Sequence, residues 1–403
     1  MYTKRTTVCV HFAVGRAVAV PSFMIFYNLP LLDGSLIDGT LHPVRWAAIA
    51  ALGIPSALAI AFLLARVAGQ NDVARISLRL LRFALGTEVL LLVILALTGF
   101  LYERRAQARD LKLHHPPGRL VDIGGYRLHI SCTGSGPTVI LEYGHQATYF
   151  DWSLVQPEIA KFARVCFYDR AGHGWSDPSP RPRVPSVMAE ELHTLLHAAG
   201  EKPPYILVSH SYATFDATMF AHKFPDEVSG LVLVDGMHTL SLFPMPMRER
   251  ISLRSMQLIM PFGLPRWRGW CGGNVPQAIR GEMQAITCRV GLYQTFYRER
   301  AAYPESALEI RAVTSLGSVP LIVIARDPEL GSVTPREKGL WPQIQQLKMK
   351  LSTNAELVIA TGSDHDVPHA RPDVIVAAVR KLAAQASGTG GQPGNSLRNA
   401  LPM

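Results

Sequence analysis

Several signatures are missing from this chain, and each absence removes a class of function. Its charged residues make up only 18% of 403 positions, and its Lys and Arg form no dense run interleaved with stacking aromatics. Despite a formal charge of +9, nucleic-acid binding is therefore not expected. The five cysteines (Cys9, Cys132, Cys166, Cys271 and Cys288) contain no C-x-x-C, and no H-E-x-x-H motif occurs. No metal site is expected from such a set. No G-x-G-x-x-G follows a strand, so no nicotinamide cofactor is expected, and Gly134-Ser-Gly136 reads as a turn. The odd cysteine count favours buried free thiols. A Cys271–Cys288 bridge stays open should that region face an oxidising compartment.

What is present is apolar. Hydrophobic residues reach 48%, too many for an ordinary soluble enzyme, and they are concentrated in the first hundred positions. Trp46 to Ala65 reads WAAIAALGIPSALAIAFLLA, uncharged and long enough to cross a hydrocarbon core, with Pro55 as a kink. Phe83 to Tyr102 is a second such run, carrying only Glu88 and closed by Glu103-Arg104-Arg105. A shorter run at 17–32, interrupted by Pro21, Asn28 and Pro30, is a third candidate. Residues 1–112 thus read as a membrane region with two or three spans. Arg66, Arg75, Arg79 and Arg82 between the strong spans favour a cytoplasmic loop, which would put the remainder outside the cytoplasm. Arg104, Arg105, Arg109 and Lys112 pull the other way.

From Leu120 onward short apolar segments alternate with helical ones. Strands are predicted at Tyr126–Ser131, Thr138–Glu142, Arg164–Tyr168, Tyr205–Val208, Gly230–Val234, Pro320–Ile324 and Glu356–Ile359, with helices near 187–199, 215–224 and 372–384. This is an α/β pattern, a mainly parallel sheet covered on both faces. A helical insertion from about Met237 to Leu316 interrupts it, rich in Met, Arg and aromatics. Residues 386–403 lack core-forming side chains and read as a disordered tail.

The chemistry centres on Tyr205-Ile-Leu-Val-Ser-His-Ser-Tyr-Ala213. A serine on a sharp turn between strand and helix projects from the carboxyl edge of a sheet, and such a turn requires small residues two places before and after it. Ser209 and Ala213 occupy those places, where glycines are usual. At this point the sequence resembles the α/β-hydrolase family, particularly its cap-bearing esterase and lipase members. The resemblance also rests on Val139-Ile-Leu-Glu-Tyr-Gly-His145, Phe167-Tyr-Asp-Arg-Ala-Gly-His-Gly-Trp-Ser-Asp177, Leu231-Val-Leu-Val-Asp235 and Thr361-Gly-Ser-Asp-His-Asp-Val-Pro-His-Ala-Arg-Pro372. It covers roughly residues 118–385, with the insertion as the cap.

The resemblance implies a serine nucleophile at Ser211 and a general base at His365, seven residues before Pro372. His369 is the lesser candidate for the base. Asp327, after a strand in the order Ser, Asp, His, is the preferred acid, and Asp235 is the alternative. Asp364 and Asp366 are read as loop residues. The backbone N–H groups of His145 and Tyr212 are the expected oxyanion hole. His210 is expected to pack against the sheet, and Asp169, Arg170 and His173 to hold the loop around them. A nucleophilic serine disfavours dehalogenases and epoxide hydrolases that work through an aspartyl ester. Phe243, Met245, Met247, Phe262, Trp267, Trp270, Tyr293 and Phe296 make the cap apolar. They suggest a small apolar ester or lipid as substrate, beside membrane lipids as partners. Acyl transfer, amide or thioester cleavage on the same residues, and a non-catalytic binding module, are the competing readings.

Overall fold

The computed structural model describes residues 56–241, 244–273, 275–330, 335–386 and 388. Eight strands form one sheet: β1 Arg119–Asp122, β2 Arg127–Thr133, β3 Thr138–Glu142, β4 Arg164–Asp169, β5 Tyr205–His210, β6 Val228–Val234, β7 Leu321–Arg326 and β8 Ala355–Ala360. Their order across the sheet is β1-β2-β4-β3-β5-β6-β7-β8. β2 runs antiparallel to β1 and β4, and every pair from β4 through β8 is parallel. Seven of these strands lie where the apolar runs predict them. β1 is the exception: Arg-Leu-Val-Asp is an edge strand with none of its residues buried, too short and polar to announce itself.

Alternation sorts each strand between two cores. Val139, Leu141, Ile206, Val208, Val232, Val234, Ile322 and Ile324 face one side, under Ile375, Val379 and Leu382 of the helix Pro372–Ala386. Ile140, Leu207, Leu231, Leu233, Leu321 and Val323 face the other, under Leu192, Leu195 and Leu196 of the helix Pro185–Ala199 and Phe220 of the helix Ala213–Lys223. β3 and β5 are buried throughout, as strands covered on both faces must be.

Between β6 and β7 lies the helical cap, whose main helices are Met247–Ile259, Gln277–Thr287, Leu292–Ala301 and Tyr303–Ala312. It has its own small core of Met245, Leu253, Met256, Met260, Leu292, Tyr293 and Phe296. Phe243 lies outside the described residues. Trp267 is 71% exposed, so it does not belong to that core.

The 83–102 run falls inside one helix, Asn71–Leu113. Among the described residues it is the only helix long and apolar enough to cross a membrane, where two or three were expected. Its most apolar stretch has a mean hydropathy of 2.3 and no buried residue. The described part of the 46–65 run belongs to the helix Ser56–Val67. It is cut off by the turn at Gly69, which takes a left-handed φ of 72°. Residues 46–55, the 17–32 run, Cys9 and nearly all of the tail lie outside the described residues.

The cysteines depart from expectation. Cys132 and Cys166 sit opposite each other on β2 and β4 and are disulfide-bonded, and Cys271 is bonded to Cys288. The first pairing was invisible in the sequence, because only the antiparallel register brings residues 34 apart face to face.

Candidate active site

Strand β5 ends at His210, and the helix Ala213–Lys223 begins three residues later. The turn between them forces Ser211 into a left-handed φ of 58°, a strained conformation for a residue with a Cβ. The Ser211 N–H donates to the Val234 carbonyl at 3.0 Å, which fixes the turn to the end of β6. Space around it is tight. A Cβ at Gly144 would meet the Ser211 Cβ at 2.9 Å, so that position requires glycine. Ser209 fits in place of the usual glycine, though its buried hydroxyl has no hydrogen-bond partner among the described residues.

His365 Nε2 lies 2.9 Å from Ser211 Oγ. Its Nδ1 meets Asp235 Oδ2, so the second of the two candidate acids holds the imidazole. Asp235 follows β6 directly, with φ 37°, and Arg326 contacts it twice, through its backbone N–H at 3.3 Å and its Nε at 3.1 Å. Burial pushes the Asp235 carboxyl up. The His365 hydrogen bond and the positive charges of Arg326 and Lys348 outweigh that and hold it well below the usual carboxylate range.

Asp327, the preferred acid from sequence, does not face His365. Its carboxylate accepts the N–H groups of Glu329 and Gly362 at 3.0 Å each, and its own N–H donates to the Ser363 carbonyl at 2.9 Å. Asp327 thereby pins the loop that carries His365. His210 grips that loop from the other side, its Nε2 donating to the His365 carbonyl at 2.9 Å. Burial, reinforced by the neighbouring His365, lowers the His210 pKa to about 3, so its ring stays neutral. His369 instead pairs with Asp366 at 2.7 Å, and Asp364 accepts the Asp366 N–H, both contacts local to the loop.

The strand β3 leads through Tyr143-Gly144 to His145, and Gln146 turns the chain with φ 59°. Among the described residues, no backbone carbonyl accepts the N–H of either His145 or Tyr212. The guanidinium of Arg170 donates to the carbonyls of Tyr143 and, at 3.1 Å, Gly144. Glu299, from the cap helix Leu292–Ala301, completes this side. It accepts from His145 Nδ1 at 2.9 Å and His173 Nε2 at 2.8 Å, with Arg170 Nε at 3.6 Å. Burial raises the Glu299 carboxyl, but His173, Arg170 and His145 together hold it well below its ordinary range. Nothing in the sequence pointed to Glu299, an acid 154 residues from His145 in an arginine-rich helix. Lys348 was equally hidden; its Nζ donates to the Gly236 carbonyl beside Asp235.

This arrangement can pass a proton from a serine hydroxyl to an imidazole backed by a carboxylate, beside two N–H donors.

Comparison with known proteins agrees with the fold. The sequence model of the alpha/beta hydrolase family matches residues 132–378, and the chain belongs to that family. It is 25% identical over 182 residues to the uncharacterized protein YbdG of Bacillus subtilis (strain 168), an alignment covering 44% of this chain and 56% of YbdG. Over 132 residues it is 29% identical to the uncharacterized vacuolar membrane protein YNL115C of Saccharomyces cerevisiae, covering 28% of this chain and 20% of that protein. The chain thus spans about half or less of these two relatives. The crystal structure of Cfl2 from Burkholderia cenocepacia superposes with a TM-score of 0.52 at 20% identity, covering 65% of this chain and 94% of that one.

Proposed function

We propose that the chain is a membrane-anchored serine hydrolase that cleaves a carboxylic ester through an acyl-enzyme. The observation that carries this reading is the 2.9 Å separation of Ser211 Oγ and His365 Nε2, with Asp235 on the far side of the ring. Ser211 Oγ attacks the ester carbonyl while His365 takes its proton, and Asp235 stabilises the resulting imidazolium. The oxyanion of the tetrahedral intermediate accepts the N–H groups of Tyr212 and His145. Collapse breaks the bond to the alcohol, which leaves with the proton from His365. Water then repeats the sequence on the acyl-Ser211 ester and releases the acid.

A substrate drawn from the bilayer fits the way the cap meets the long helix. Arg266 of the cap pairs with Glu103 at 2.9 Å and Asp110 at 2.7 Å, and all three are buried. Gly99 lies so close to the Phe262 backbone that a Cβ there would meet its carbonyl oxygen. Leu258, Phe262, Leu264 and Trp267 remain exposed beside this junction, at the end of the apolar run. An apolar cap surface with an interfacial tryptophan suits lipid-like esters. The two disulfides suit an oxidising compartment, and Arg75, Arg79 and Arg82, which lie on the helix Asn71–Leu113 ahead of its apolar run and not on a separate loop, suit a cytoplasmic N-terminal end of that helix. Both favour a catalytic region outside the cytoplasm.

The test is p-nitrophenyl ester turnover by the detergent-solubilised protein. Ser211→Ala is expected to lower kcat by about a thousandfold or more, and equal rates in both proteins would end the proposal.

A further inference from the structure

The helix Pro185–Ala199 carries His193 and His197 one turn apart, on the same face. Opposite them stands Glu227, the last residue of the short turn Pro225–Glu227 that leads into β6. His193 Nε2 lies 3.1 Å from Glu227 Oε1, and His197 Nε2 lies 3.1 Å from each of its oxygens. All three ligand atoms fall within 4.8 Å of one another.

We propose that His193, His197 and Glu227 bind a divalent transition ion of the zinc class. Two imidazoles and one carboxylate are the donor set such ions favour. With metal–ligand bonds of roughly 2.0–2.1 Å, neighbouring donors lie about 2.9 Å apart in octahedral and about 3.3 Å apart in tetrahedral coordination. The 3.1 Å nitrogen–oxygen separations fall between those limits. The ligands are also held before any ion arrives. The His193 ring stacks on Phe224 with centroids 3.9 Å apart and planes 11° from parallel. The Glu227 N–H donates to the Phe224 carbonyl at 3.0 Å, so one residue steadies two ligands. His197 is the most exposed of the three, leaving water to complete the coordination shell. Bound metal would clamp the helix Pro185–Ala199 to the start of β6.

The sequence analysis did not bring these three residues together, because Glu227 lies 30 residues from the nearer histidine. Among the described residues, the other grouping of metal-ligating types, Cys132, Cys166 and Glu201, is already committed: the cysteines are bonded to each other and Glu201 holds Arg164 at 2.6 Å.

The experiment is a Zn²⁺ titration of the chelator-stripped full chain in detergent, read by calorimetry or by competition with a chromophoric chelator. The wild type should take up one equivalent at this site, raising its melting temperature. His197→Ala should weaken that binding by more than about tenfold while keeping the metal-free circular dichroism spectrum and melting temperature. His222→Ala, which alters an exposed histidine outside the cluster, should titrate like wild type. Absence of zinc uptake by the wild type would overturn the proposal, as would a His197→Ala protein that binds as tightly. Neither outcome bears on the Ser211 chemistry.

Discussion

The carboxyl ends of β6 and β7 look alike in sequence, each an apolar strand leading to an aspartate, yet only one of them reaches the imidazole. Asp235 follows β6, the direct neighbour of the strand that carries Ser211. It is buried and surrounded by positive charge. Asp327 lies one strand further out, beyond Arg326, whose side chain turns toward Asp235 instead. Its carboxylate is consumed by two backbone N–H groups of the loop it fastens. A charge next to the imidazole governs proton transfer, whereas a charge beneath the loop governs only where the imidazole sits.

The largest effect separating these two acids should come from Asp235→Asn. An amide there removes the charge that stabilises the imidazolium and can hold the wrong tautomer, so kcat should fall by about a thousandfold or more. Stopped-flow ester hydrolysis measures it, and a loss below tenfold would place the acid elsewhere. Glu299→Gln comes next. It leaves Arg170 and His173 facing a neutral amide and loosens the loop bearing the His145 N–H, so kcat should fall roughly ten- to a hundredfold with little change in KM. A rise in KM alone would instead show that Glu299 serves substrate binding.

Lys348 sharpens the comparison through pH. Burial above all, with Arg326, brings its pKa from 10.5 down to about 8 against the attraction of Asp235. Between those two values the unfolded chain binds more protons than the folded one, so stability rises with pH across that window. The gain should amount to roughly 3 kcal/mol, and Lys348→Met should abolish it. Melting curves of the two proteins at pH 8 and pH 10.5 would settle the sign; parallel curves would contradict it. Asp327→Asn should have the smallest effect. The amide oxygen still accepts a loop N–H, so turnover should stay within about threefold of wild type.

The resemblance to the α/β-hydrolase family singled out Ser211 and His365 through motifs on the loops that follow β5 and β8, and the structure brings their side chains to 2.9 Å. The acid was not singled out, since both aspartates satisfy the same chain order and only strand adjacency and side-chain direction distinguish them. Glu299 and Lys348 were out of reach for another reason. Each enters from a helix whose polar, arginine- or lysine-bearing sequence resembles a solvated surface, and only tertiary packing buries it. The Cys132–Cys166 bond likewise depends on antiparallel register. The central strands of the sheet were readable, because strands buried on both faces show themselves as unbroken apolar runs.

The central claim is that His365 and Asp235 make the hydroxyl of Ser211 nucleophilic. Its most direct measurement is the intact mass and peptide map of the protein after treatment with a fluorophosphonate. The account predicts one adduct per chain, located on Ser211, with labelling slowed sharply in Asp235→Asn and nearly unchanged in Asp327→Asn. An adduct on a different residue, or labelling slowed by Asp327→Asn and untouched by Asp235→Asn, would contradict it.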